Sequence, residues 1–89
     1  MRSIRHDTQF KKDVKRLKKW HKDFEKLKPI VQLLVEGEKL PPETRDHRLK
    51  GTLKDLRECH IEPDWLLIYR TEGSELCLVR TGSPADLSE

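Results

Sequence analysis

Residues 56–81 read LRECHIEPDWLLIYRTEGSELCLVRT, three short runs rich in aliphatic and aromatic residues separated by Glu62-Pro63-Asp64 and Glu72-Gly73-Ser74. Each run has strand length, and each interruption carries turn formers: Pro63 has no amide hydrogen to give to a ladder, and Gly73 tolerates the backbone angles of a tight turn. The pattern predicts three consecutive antiparallel strands, over 56–61, 65–71 and 75–81. Side chains alternate across a strand, so Leu76 and Leu78 are expected to share one face with Arg80, and Cys77 and Val79 the other.

Upstream, the period changes. Ser3 to His6 suits a short first strand, after which Asp7 or Thr8 caps a helix carrying Phe10, Val14 and Leu17 at i, i+4 and i+7. A second helical pattern begins near Asp23 and places Phe24, Leu27, Val31 and Leu34 on one face. Pro29 sits inside it and must kink the helix or mark a restart. Gly37 ends it, and Pro41-Pro42 opens a loop that reaches His47. Two helices ahead of a meander predict an α+β fold, with the helices packed on one face of a small, curved antiparallel sheet. No linker, repeat or low-complexity tract divides the chain, so residues 1–89 are expected to form a single domain.

A chain of 89 residues, 34% hydrophobic and 39% charged, has a modest core and a salt-laced surface. No apolar run reaches the roughly 18 residues that would cross a bilayer, and the amino terminus lacks the apolar stretch of a secretory signal. A cytoplasmic protein with no membrane partner is expected. Cys59 and Cys77 fall inside predicted strands and read as buried, reduced thiols. A metal site from His47, Cys59 and His60 is disfavoured because neighbouring strand residues point to opposite faces; no metal or cofactor is expected. The net charge is +3, but residues 1–22 hold nine Lys/Arg against Asp7 and Asp13, a local balance of +7. Such asymmetry suits docking on nucleic acid, and it equally suits a solvated helix that keeps a small domain in solution.

Chemistry concentrates between residues 46 and 65. His47 and His60 can exchange protons near neutral pH; Glu58 and Asp64 are carboxylates beside them; Arg48, Lys50, Lys54 and Arg57 can hold a polyanion. Cleaving RNA without a metal needs both kinds of group. Glu58 and His60, two apart, leave the same face of a strand. The plainer reading is a polar hairpin rim with surface histidines. Trp20 and Trp65 could stack on bases or anchor a core or rim, Tyr69 belongs in the core, and His6 and His21 read as solvated surface.

The run from Asp46 to Trp65, continued by Leu66-Leu67-Ile68-Tyr69 and by Arg80-Thr81-Gly82-Ser83, resembles the YafQ branch of the RelE/ParE toxin superfamily. Gln9-Phe10-Lys11-Lys12-Asp13-Val14-Lys15 and His21-Lys22-Asp23 extend the resemblance over nearly the whole chain. It implies the RelE-like fold and a toxin of a bacterial toxin–antitoxin pair that cuts messenger RNA during translation in the ribosomal A site. It also implies an acidic, DinJ-like antitoxin as partner, and operator DNA bound through the complex. Residue by residue, it implies His47 and His60 as active-site histidines and Asp64 and Glu58 as orienting carboxylates, Glu58 standing where relatives often carry aspartate. Arg80 and Arg57 become candidate phosphate clamps, with a rim ion pair the equal alternative for Arg57, and Lys50 and Lys54 candidate RNA contacts. The basic amino-terminal segment then reads as a ribosomal RNA contact. The carboxy terminus departs from the pattern. Pro84 stands where the family has a histidine thought to act as general acid, and Ser88 where an aromatic would stack on a base. The resemblance therefore implies an attenuated endoribonuclease, a crippled toxin that still binds antitoxin and operator, or a ParE-like inhibitor of DNA gyrase on the same fold.

Overall fold

In a computed structural model, which describes residues 1–20, 22–51 and 55–87, the predicted meander forms the centre of the molecule. Strands β3 (Arg57–Glu62), β4 (Trp65–Glu72) and β5 (Glu75–Gly82) pair antiparallel in succession. Ahead of them come β1 (Ser3–His6), α1 (Thr8–Lys19), a 3₁₀ turn at Phe24–Lys26, α2 (Leu27–Glu36), a second 3₁₀ turn at Pro42–Thr44 and β2 (His47–Arg48); α3 (Pro84–Leu87) comes last. The five strands make one sheet in the order β1-β5-β4-β3-β2. It is mixed, not wholly antiparallel, because β1 runs parallel to β5. The helix α1 that succeeds β1 packs against β5.

One sheet face carries the core. Cys59, Trp65, Leu67, Tyr69, Leu76 and Leu78 pack with Phe10 and Leu17 of α1 and with Leu27, Ile30 and Leu34 of α2. Burying each large apolar side chain contributes about 1.5–3 kcal/mol. In α2, Ile30 and Val35 complete the buried stripe, while Phe24 and Val31 are only half-buried. Pro29 marks a restart: the 3₁₀ turn gives way to α2 at Leu27, so Pro29 lies in the first turn, where a missing amide hydrogen costs nothing. Asp23 caps the 3₁₀ turn by accepting from the Glu25 amide at 3.0 Å. Gly37 closes α2 in the left-handed region at φ 75°, as expected for a helix-ending glycine. Asp7 does occupy the N-cap of α1, but its side chain makes no capping hydrogen bond and instead lies 3.8 Å from Arg5.

The expected alternation in β5 fails at one point. The pairing with β4 shifts between Ile68 and Tyr69, so that Tyr69 opposes Leu78 while Ile68 opposes Arg80 and Leu67 opposes Thr81. Val79 is the extra residue, and a bulge of this kind reverses the facing of the residues beyond it. Thr81, not Arg80, therefore shares the core face with Leu76 and Leu78, and Arg80 lies in register with Ile68 and Glu58 on the other face. Cys59 and Cys77 are both buried and unpaired, and desolvation pushes the Cys59 thiol up to about 12. Among the described residues no helix is long and apolar enough to cross a membrane.

Candidate active site

With both long helices on the core side, the opposite sheet face is the one they leave open, although Leu66, Ile68 and Cys77 on it are buried, and the register assigns its residues. His47 on β2 opposes Glu58 on β3, Glu58 opposes Ile68 on β4, and Ile68 opposes Arg80 on β5. One row along, His60 opposes Leu66, and Leu66 opposes Gly82, two residues before Pro84. Neighbouring strands lie about 4.8 Å apart, so His60 and Gly82, two strands apart, stand roughly 10 Å from each other. Two imidazoles, a carboxylate and the end of β5 thus share one face.

His47 is the best-defined of these groups. Its Nδ1 lies 2.7 Å from the Arg45 carbonyl oxygen, and its Nε2 lies 3.5 Å from Glu58 Oε1. A carbonyl only accepts, so Nδ1 is the donor in that contact and Nε2 is the nitrogen turned to the carboxylate. The carbonyl is presented by an unusual backbone: Arg45 is the only non-glycine residue in the left-handed region among those described, at φ 50°. The Arg45 amide donates to Pro42 at 3.1 Å and the buried Thr44 hydroxyl to Pro41 at 2.7 Å, which hold the bend. Half-buried His60 borders a cleft of about 450 Å³ shared with Thr44 and Arg45, so one loop touches both histidines.

The remaining expected residues disperse. Asp64 lies in the β3–β4 turn, exposed, 3.5 Å from Lys22 Nζ, and does not join the His47–Glu58 pair. Arg57 occupies a core-side position opposite Tyr69, where its Nε and Nη2 reach Asp46 at 3.3 and 3.1 Å while the Tyr69 hydroxyl donates to the same carboxylate. This is the ion-pair alternative, not an open clamp. Lys50 is exposed in the loop after β2; His21, Lys54 and Ser88 lie outside the described residues. Pro84 is exposed at the first position of α3. Ser83 Oγ accepts from the Asp86 amide at 3.1 Å, and Asp86 Oδ2 accepts from the Ser83 amide at 3.2 Å, a reciprocal cap with proline at the position it favours.

Sequence reading missed Asp13. It is fully buried, and its carboxylate accepts from Arg80 Nε at 2.8 Å and Nη2 at 3.2 Å, from Arg16 Nη1 at 2.9 Å and from the Thr81 amide at 3.1 Å. Paired β1 residues end opposite Leu78, so beyond that point the β5 edge would have an unmet amide; Asp13 satisfies it from α1. Burial alone would raise this carboxyl, but the hydrogen bonds from Arg80, the Thr81 amide, Arg16 and Gln9 outweigh it and hold it below the ordinary carboxylate range. A signal was available: residue 13 lies on the same helical face as Phe10 and Leu17, at i+3 and i−4, where a carboxylate needs partners.

Two further hollows mark the surface of the described residues. Between α1 and α2 runs a groove of about 900 Å³ with Phe10, Val14, Leu27 and Val31 in its lining and Lys11, Lys15, Lys18 and Lys28 along its rim. At the far end of α1 a cleft of about 520 Å³ is lined by Arg16, Trp20, Lys22, Asp64, Ser83 and Asp86.

Comparison with known proteins agrees with this geometry. A family described as the bacterial toxin of a type II toxin–antitoxin system, YafQ, matches residues 2–89. The mRNA interferase toxin YafQ of Escherichia coli K12 is 44% identical over 87 residues, 97% of this chain and 95% of that protein. The crystal structure of the E. coli DinJ–YafQ complex superposes with a TM-score of 0.92 at 42% identity, over the whole of both chains. A metal-bound toxin from Helicobacter pylori superposes at 0.94, also 42% identical, over 99% of this chain and 100% of that one. Among the described residues here, no group of three or more His, Cys, Asp or Glu side chains could hold a metal ion. A family match over residues 2–89, beside a 44% identical relative that nearly the whole chain covers, leaves one assignment: the chain belongs to the YafQ family of bacterial type II toxin–antitoxin toxins.

Proposed function

We propose that this single domain is a ribosome-dependent endoribonuclease of the cytoplasm, cutting messenger RNA by metal-independent acid–base chemistry and attenuated by Pro84. The observation that carries it is the pairing of His47 with Glu58 on the open face, one row from His60. His47 Nε2 takes the proton of the 2′-hydroxyl, whose oxygen attacks the adjacent phosphorus. The bond to the 5′-oxygen breaks, leaving a 2′,3′-cyclic phosphate, and the departing 5′-oxygen takes its proton from water because Pro84 has none to give, which is the source of the attenuation. Glu58 stabilises the imidazolium that forms, and His60 serves the scissile phosphate from the neighbouring row. Asp64 serves as an orienting carboxylate, Lys50 and Lys54 bind the strand, and Arg80, tied to Asp13, braces the phosphate side. Ser88 offers no ring for a base. Purified ribosomes translating a defined message test this: the unmodified chain should cut within codons in the A site. His47→Ala and His60→Ala should be silent with unchanged circular dichroism. An intact message beside ribosome-bound protein would end the ribonuclease reading.

One observation favours a second reading, a toxin that binds but scarcely cuts. Pro84 is built into a capped helix start, where a general acid would have to stand. The cleavage assay separates the two.

The lysine-rimmed groove points to the partners. An acidic antitoxin of the DinJ kind, disordered until bound, would lay an apolar helix face between α1 and α2 and its carboxylates against Lys11, Lys15, Lys18 and Lys28; the pair then binds operator DNA. The same α1 lysines would face ribosomal RNA once the antitoxin is gone. Replacing Lys11, Lys12, Lys15, Lys18 and Lys19 by Gln should weaken ribosome binding, flatten its salt dependence and loosen the antitoxin complex on size-exclusion chromatography. These side chains are exposed, so each change should leave stability within about 0.5 kcal/mol. Unchanged affinity for both partners would leave the lysines as solubilising surface.

A further inference from the structure

The two tryptophans have opposite environments. Trp65 is fully buried, donates its indole N–H to Thr81 Oγ1 at 2.8 Å and meets Phe24 edge-on at 5.5 Å between ring centroids. Trp20, at the carboxy-terminal cap of α1, is 73% exposed. An indole left in water adds nothing to the core, so folding does not account for it. It lines the cleft shared with Arg16, Lys22, Asp64, Ser83 and Asp86.

The walls of that cleft are held in place. Arg16 reaches Asp13 at 2.9 Å and Asp86 at 3.5 Å, and Lys22 reaches Glu62 at 3.4 Å and Asp64 at 3.5 Å. Two cations face two carboxylates on the cleft wall, so its charge cancels, and it suits a flat uncharged group better than a phosphate. An exposed indole offers such a group a stacking surface, and carboxylates accept from amino and imino hydrogens. Gly82 keeps this end of the site tight, since a Cβ there would come within 2.9 Å of Arg16 Nη2 and 3.2 Å of Asp86. The cleft walls come from the carboxy-terminal end of α1, the β3–β4 turn and α3, which begins two residues after Gly82 in the row His60–Leu66–Gly82.

We infer that Trp20 and this cleft form a nucleobase subsite, in which the indole stacks on a base of the bound single-stranded RNA. It takes over the stacking that Ser88 cannot supply. The inference rests on the ribonuclease reading above.

The test uses the full chain and a short single-stranded RNA of mixed sequence, 2′-O-methylated so that it cannot be cut. Because Trp65 is buried, fluorescence quenching by a stacked base reports Trp20. The unmodified chain should show saturable quenching. Trp20→Ala should bind the labelled oligomer about 5- to 100-fold more weakly by anisotropy. Trp20→Phe should keep most of the affinity and Trp20→Leu should not, a ring dependence that a merely structural residue would not show. In cleavage of translated message, Trp20→Ala should raise KM more than it lowers kcat. Equal oligomer affinity for Trp20→Ala and the unmodified chain overturns the subsite while leaving the ribonuclease intact. So does weakened antitoxin binding with unchanged RNA binding, which would make Trp20 a protein contact. Saturable quenching without any cleavage of translated message keeps the subsite and removes the ribonuclease.

Discussion

Asp13→Ala is expected to lower the unfolding free energy by about 2–3 kcal/mol, the cost of losing several charge-assisted hydrogen bonds and leaving a buried amide unmet, with the two partly exposed arginines resolvated. The substitution removes the carboxylate shared by Arg80 and Arg16, the latter keeping Asp86, and leaves the buried Thr81 amide without that acceptor. For a small domain, whose whole stability is of the order of 5–15 kcal/mol, that is a large fraction. Urea denaturation followed by circular dichroism measures it. Asp13→Asn should fall between Ala and the unmodified chain, because it keeps an acceptor for the Thr81 amide and loses only the charge. The pH dependence has a definite sign. The folded-state carboxyl is held low, so its contribution is fully present above the unfolded value of about 3.9 and is lost as pH falls through the lower folded value. The unmodified chain should lose this stability on acidification below about pH 4, and Asp13→Asn should lose less over the same window. A change under 1 kcal/mol for Asp13→Ala would mean that water replaces the carboxylate and that the α1–β5 link is not structural.

Pro84→His is expected to raise cleavage of translated message by about 10²–10⁴-fold, the range a positioned general acid contributes. The substitution is structurally mild. Pro84 is exposed at the first position of α3, and the Ser83–Asp86 cap that starts the helix does not involve its side chain. His47 Nε2, beside Glu58, would take the 2′-hydroxyl proton, and a histidine at position 84 would return one to the departing 5′-oxygen. Adding Ser88→Phe should help further by stacking a base, by about 1–3 kcal/mol of binding. The rescued rate should gain a second pH limb, bell-shaped where the parent shows one arm. Full-rate cutting by the unmodified chain would mean that His47 or His60 already supplies the acid. No cutting by Pro84→His, with ribosomes still bound, would favour the binding module.

The features that proved legible were local ones. Turn chemistry at Pro63-Asp64 and Gly73-Ser74 bounded β3, β4 and β5 to within a residue, and apolar spacing located α1 and α2. Gly37 announced its helix end, since a left-handed cap favours glycine. The spacing of Glu58 and His60 fixed their common face. Family resemblance named the family, and the match over residues 2–89 agrees with that.

What remained open depended on contacts between distant residues. The facing of Arg80 turns on the Val79 bulge, a mismatch between two strands that neither strand reveals by itself. His47 meets both Glu58 and the Arg45 carbonyl only because a short β2 pairs with β3 and the Arg45 backbone bends back to it. Arg57 was an equal choice between clamp and ion pair until Asp46 arrived from 11 residues away. The two tryptophans looked alike in sequence; only packing buried one and left the other beside Asp64 and Ser83. Sequence alone thus determined the elements and the family, because period and turn residues act over a few positions. The tertiary structure decided which polar groups are partnered, which face is open and which lysines rim a groove. Burial and pairing free energies come from the whole packed chain.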